Sequence, residues 1–159
     1  MNRETTLTAE ELEAELAPLV LPSFDETTAF RLGAILVAMA QDGALPVVIN
    51  IRNACRTYFH AALPGSQAIN DTWARRKSNT ALLLGKASLV VGRLHAASGR
   101  GLADHGLASA DYADAGGAVP LVVKGAGIVA ICTVSGLPQV EDHRLVLRGI
   151  KALLDEVQA

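Results

Sequence analysis

Two rhythms of apolar residues alternate along the chain. Leu12, Leu16 and Leu19 recur at helical spacing behind Thr8-Ala9-Glu10-Glu11, a capping-box pattern, and Pro18 and Pro22 close that short helix. Asp25 is placed to cap a second helix whose Leu32, Ile35, Leu36 and Met39 make one stripe before Asp42-Gly43 stops it. The period then changes to two: Val47, Ile49 and Ile51 alternate with Val48 and Asn50. After the polar Arg52-Asn53, Cys55, Thr57, Phe59 and Ala61 alternate with Arg56, Tyr58 and His60. This predicts a hairpin in which Tyr58 and His60 share one face and Phe59 takes the other.

Helical spacing returns after Leu63-Pro64-Gly65-Ser66. Asn70 or Asp71 would cap a helix that turns Trp73, Thr80, Ala81 and Leu84 inward, with Trp73 anchoring it to the sheet. Gly85 interrupts, and a further segment carrying Leu89, Val90 and Leu94 runs to about Gly99. Residues 120–123 and 128–134 flank Gly125-Ala126-Gly127, the clearest hairpin in the chain, and both are apolar at consecutive positions, as strands covered on both faces are. A closing helix aligns Val146, Ile150, Leu153 and Val157. Helices, a strand pair, helices, a strand pair and a last helix, all joined by short connections, predict an α+β domain with helices packed on an antiparallel sheet.

Composition narrows the picture. The 159 residues fit one domain spanning 1–159, with 1–24 as an N-terminal helical extension. Half of them are hydrophobic but only 4% are aromatic, so the core is built from Ala, Leu, Val and Ile and its elements pack closely. Fourteen Lys and Arg stand against sixteen Asp and Glu, and Arg75-Arg76-Lys77 is the one basic cluster, which excludes nucleic-acid binding through phosphate neutralisation. No apolar run reaches the length of a bilayer span, the start Met-Asn-Arg-Glu has no apolar leader, and Cys55 and Cys132, each in an apolar run, read as buried reduced thiols. The expectation is a cytoplasmic protein with no membrane contact. A mean hydropathy of +0.30 in so small a domain predicts a homo-oligomer, a dimer or larger.

Three groups of residues carry candidate chemistry. His60 beside Tyr58, next to the Pro64-Gly65 turn, has a side chain that titrates near neutrality and can ligate or exchange protons; an ordinary half-buried histidine bonded to a carbonyl is the competing reading. Arg75 and Arg76, expected in the first turns of a helix, sit where cations disfavour the helix, so an anionic ligand or a subunit-interface salt bridge with Asp71, Asp111 or Glu141 would account for them. Ser135-Gly136-Leu137-Pro138-Gln139 with Glu141-Asp142-His143 suggests a nucleophile and base, but position 133 is Thr where a nucleophile elbow needs Gly, so a strand-to-helix turn is the simpler account. His95 and His105 read as surface positions. No zinc-ligand spacing or phosphate-binding glycine loop is present in the sequence.

The strings Ala62-Leu63-Pro64-Gly65-Ser66, Asn70-Asp71-Thr72-Trp73-Ala74-Arg75-Arg76-Lys77-Ser78-Asn79, Gly116-Gly117-Ala118-Val119-Pro120 and Val134-Ser135-Gly136-Leu137-Pro138-Gln139 resemble the GlcG-like, haem-degrading-domain family in its uncharacterised branch. The resemblance runs from about the second helix to the C-terminus. It implies a profilin-like three-layer fold with a five-stranded antiparallel sheet and an oligomeric assembly. Some relatives in the wider family bind haem, which makes haem a possible cofactor, with no ligand position carried over. The resulting expectation is a small-ligand-binding protein, for haem or a small anion, with a pocket between the Pro64-Gly65 loop, the Trp73 helix and the Gly116-Gly117 loop. Tyr58, His60, Trp73, Arg75, Arg76, Gly116, Gly117 and His143 are its candidate ligand-binding residues. An enzyme acting on haem or a small carboxylate, or an adaptor oligomer with no small ligand, are the alternatives.

Overall fold

A computed structural model describes residues 7–159; residues 1–6, the polar start and the first part of the expected N-terminal extension, lie outside the described residues. The elements in order are α1 (Ala9–Leu16), β1 (Val20–Leu21), α2 (Glu26–Asp42), β2 (Val48–Arg52), β3 (Thr57–Ala62), α3 (Ala68–Leu84), α4 (Ser88–Ser98), a 3-10 turn (Leu102–His105), β4 (Ala118–Val123), β5 (Gly127–Ser135) and α5 (Gln139–Gln158). The five strands form one sheet in the order β1-β4-β5-β2-β3. Three pairings are antiparallel, as expected, but β1 runs parallel to β4, with Val20 beside Val122 and Leu21 beside Val123. The sheet is therefore mixed rather than purely antiparallel. Two residues between Pro18 and Pro22 are too short a run to show a strand period, which is why β1 reads in the sequence as the tail of a helix.

Three layers result, and the two faces of the sheet differ in chemistry. On one face Val47, Ile49, Ile51, Val119, Leu121, Cys132 and Val134 meet α2 and α5 in the main aliphatic core with Leu32, Leu36, Leu147 and Ile150. Close approach depends on glycine there: a Cβ at Gly33 would lie 2.5 Å from the Phe59 ring, and one at Gly149 2.5 Å from Leu36. The other face is small and polar, with α3 bringing Ala74, Lys77, Ser78, Thr80 and Ala81 against Ala118, Ile131 and Thr133. Arg52 reaches across this layer and donates from Nε to Ser78 Oγ at 2.8 Å.

Several boundaries depart from the sequence pattern for identifiable reasons. The Asn53 side chain accepts from the amides of Cys55 and Arg56 at 2.8 and 2.9 Å, so residues 53–56 form an Asx-type turn and Cys55 is exposed rather than buried in a strand. Cys132 is buried as expected, and burial pushes its thiol pKa up. The ladder pairs Arg52 with Thr57 but Ile51 with Phe59, leaving Tyr58 as an extra, bulged residue. Its ring packs edge-on against Phe24 at 5.3 Å, while His60 lies on the α3 side, so Tyr58 and His60 do not share a face. Helix α3 begins at Ala68, where the Gln67 amide donates to Asn70 Oδ1 at 2.8 Å, earlier than an Asn70 or Asp71 cap would place it. Arg75 is consequently the eighth helical residue, and the unfavourable dipole inferred for it does not apply.

Candidate functional site

The end of the sheet where β5 stops and β4 starts is where the chain leaves its regular elements twice on neighbouring strands. After Ser135 the backbone turns at Gly136 (φ 147°), and before Ala118 it passes Gly117 (φ 136°), where a Cβ would lie 2.4 Å from the Val134 carbonyl oxygen. Only glycine fits that approach. Between these turns and the N-terminal half of α3 lies a cleft of about 240 Å³ lined by Asn70, Trp73, Lys77, Ala115, Ser135, Gly136, Leu137, Gln139 and Asp142.

Its base is an ion pair. Lys77 Nζ donates to Asp142 Oδ2 at 2.9 Å, and the two side chains are 5% and 1% exposed. The other Asp142 oxygen accepts from the Leu137 amide at 2.9 Å, so this one carboxylate ties α3, α5 and the 135–138 turn together. Burial raises the Asp142 pKa above its ordinary value, against the opposing pull of Lys77 and the backbone amides of Leu137 and Gly136. Gln139 Oε1 accepts from the Gly116 amide at 2.9 Å and holds the third wall. Trp73 is half-buried on the remaining side, outside the aliphatic core, and the Arg76 guanidinium lies over its ring at 4.3 Å. It is a cleft wall, not the core anchor that its place on the helix suggests.

The eight candidate residues fall into separate places. Trp73 lines the cleft, Gly116 and Gly117 form the turn beside it, and Arg76 reaches it through the Trp73 ring. Arg76 Nε also donates to the Ser109 carbonyl at 2.7 Å, and Arg75 donates to the Ala110 carbonyl at 2.9 Å and pairs with Asp111 at 3.1 Å. Both arginines therefore fasten the 109–111 loop to α3 within one chain. His60 accepts at Nδ1 from the Asn50 amide at 3.0 Å and donates from Nε2 to Asp71 at 2.8 Å, so both ring nitrogens are engaged in joining β2, β3 and α3. Tyr58 accepts from Asn53 at its hydroxyl. Pro64 lines a different cleft with Ala40, Leu45 and Leu63. His143 has no exposed surface, and its ring nitrogens have no hydrogen-bond partner among the described residues.

In the sequence Lys77 and Asp142 stand out only as members of the Arg75-Arg76-Lys77 and Glu141-Asp142-His143 strings, not as a pair. The signal for Lys77 was its spacing: it lies three after Ala74 and four before Ala81, on the stripe that buries, and a charge there requires a partner. Replacing Lys77 by Met leaves Asp142 buried and unpaired and is expected to cost about 3–5 kcal/mol, whereas Lys77→Met with Asp142→Leu should recover most of that loss. Chemical denaturation of both variants measures it.

Desolvation, followed by the nearby Arg144 charge, lowers the His143 pKa from 6.5 to about 4. The unfolded chain binds that proton between pH 6.5 and 4 and the folded chain does not, so stability falls on acidification through this window, by about 3 kcal/mol in all. Stability against pH for the parent and for His143→Leu should differ in slope between pH 4 and 6.5 and run parallel above it.

Residues 24–151 match the family described as haem degrading protein HbpS-like. A UPF0303 protein of Streptomyces coelicolor is 42% identical over 153 residues, covering 96% of this chain and 97% of that one. A UPF0303 protein of Paraburkholderia phymatum is 43% identical over 144 residues, covering 90% and 87%. Among solved structures, the Ybr137w protein superposes with a TM-score of 0.87 at 29% identity, covering 97% of this chain and 91% of that one. HbpS superposes with a TM-score of 0.66 at 17% identity over 97% and 98%, and a PduOC haem complex with 0.70 at 22% over 82% and 94%. With a match across most of its length and relatives above 40% identity over nearly their whole length, the chain belongs to the HbpS-like, haem-degrading family.

Proposed function

We propose that the protein binds a small anionic ligand, a short carboxylate or a phosphate, in the cleft between Trp73 and the 135–139 segment, and does so as a cytoplasmic homo-oligomer. The observation that supports this reading is a buried ion pair that lines a cleft. A Lys-Asp pair taken out of water contributes little net stability, because desolvation offsets its attraction. Its purpose then lies in what the ammonium meets. An anion entering the cleft competes with Asp142 for Lys77, and the displaced carboxyl, already raised in pKa by burial, takes up a proton more readily. Helix α5 starts at Gln139 on the cleft wall and turns the positive end of its dipole to the same space.

Haem does not fit this cleft. No imidazole, thiol, thioether or phenol lines it, and its volume of about 240 Å³ falls below the range of about 300–1,000 Å³ usual for ligands of drug size, and haem is larger still. His60 spends both nitrogens within the chain, and the fully buried His143 is not part of the cleft lining. The haem complex of one protein with this fold supports haem binding in that protein.

Trp73 is the sole tryptophan, so its emission reports the cleft directly. Titration with phosphate and small carboxylates should change that emission and raise the melting temperature, and the Lys77→Met, Asp142→Leu double variant should remove both effects while remaining folded. No response to any of these anions, or an unaltered response in the double variant, would reject the reading.

Assembly is supported by large apolar side chains left in solvent, with Phe30, Ile69 and Leu83 exposed to 65, 54 and 56%. Sedimentation at micromolar concentration is expected to show a dimer or larger, and a monomer alone would overturn it.

A further inference from the structure

A larger cleft, of about 570 Å³, opens beside the C-terminal end of α4 and shares no lining residue with the Trp73 cleft. Leu84, Val91 and Leu94 form its apolar wall, and His95, Arg100 and His105 its polar side. His95 is 7% exposed, so its ring nitrogens require partners. Nδ1 lies 2.7 Å from Asp114 Oδ2, and since a carboxylate only accepts, Nδ1 donates to it, which in the neutral ring leaves the lone pair on Nε2. That lone pair faces Nε2 of His105 at 3.2 Å. The ring centroids are 5.3 Å apart, so the rings meet nitrogen to nitrogen rather than stacking.

We propose that His95 and His105 form a two-imidazole site for a divalent transition-metal ion of the zinc class, with Asp114 orienting His95. Metal–imidazole bonds of about 2.0–2.1 Å at a tetrahedral angle place the two nitrogens about 3.3 Å apart. The observed 3.2 Å meets that distance without rearrangement. A histidine whose other nitrogen donates to a carboxylate is the arrangement that fixes the tautomer and direction of a metal ligand. His95 also lies in the last turn of α4, where the helix dipole favours positive charge.

Among the described residues no third His, Cys, Asp or Glu joins the pair. Two positions of the tetrahedron are thus left for water or an anionic co-ligand from the cleft, making the site open and exchangeable. Arg100 on the wall supplies that co-ligand's counter-charge, while Lys86, the other cation of the lining, is paired with Glu13.

The test uses the full chain stripped with a chelator, titrated with zinc chloride by calorimetry and with cobalt chloride by visible absorption. One ion per chain is expected, with a cobalt band that reports nitrogen ligands. His105 is exposed, so His105→Ala should stay folded by circular dichroism and bind zinc at least tenfold more weakly. Asp114→Asn, which keeps the shape of the partner, should weaken binding by about 10–100-fold. Zinc uptake unchanged in either variant, or no uptake by the parent at millimolar zinc, would leave only a hydrogen-bonded histidine pair and overturn the assignment.

Discussion

The contact between Lys77 and Asp142 is where three parts of the chain become one structure. Helix α3 supplies the cation, the start of α5 supplies the anion, and the backbone turn between β5 and α5 donates to the same carboxylate. Neither charge has water to fall back on, so each is held to its partner by the cost of separation more than by the strength of attraction. The geometry around them follows: Gly117 has no side chain because the Lys77 ammonium and the Val134 carbonyl occupy that space, and Gly136 turns the chain so that Leu137 can donate. The cleft is the gap left over when these requirements are met together.

The remaining polar residues of this face are used in a similar way. Arg52, Arg75 and Arg76 each reach backbone or side-chain oxygens of their own chain, and His60 bridges Asn50 and Asp71. A face built from Ala, Ser and Thr brings helix and sheet close but buries little apolar area, so directional bonds provide much of its definition. The opposite face relies on Leu, Ile and Val and needs few such bonds.

How much of this was legible depends on distance along the chain. The capping box at Thr8, the Asp25 cap and the Gly125-Gly127 hairpin are local patterns that the structure reproduces, and the α5 stripe holds through Val146, Ile150 and Leu153, while Val157 near the end of the helix is exposed. Strand β1 was not legible, because its two residues make sense only beside β4. The bulge at Tyr58 inverted the expected face because one inserted residue breaks a period of two. In the candidate site, Trp73 and the Gly116-Gly117 turn were found through their family-like strings. Lys77 and Asp142, 65 positions apart, carry no local sign of their pairing. His95 was misplaced on the surface for the same reason, since Asp114 and His105 reach it from a loop whose path the sequence does not specify.

Strand β1 is the smallest element of the sheet, and it pairs with only the C-terminal end of β4, at Val122 and Val123. Beyond it, β4 would present a row of unpaired amides and carbonyls along Val122 and Val123, flanked by the apolar Val119 and Leu121. Such an edge is a template for another chain. The matched family region begins at residue 24, after β1. A chain trimmed to start there would keep the three long helices α2, α3 and α5 and the cleft, and would have lost its guard at Val122 and Val123 against pairing edge to edge with another copy.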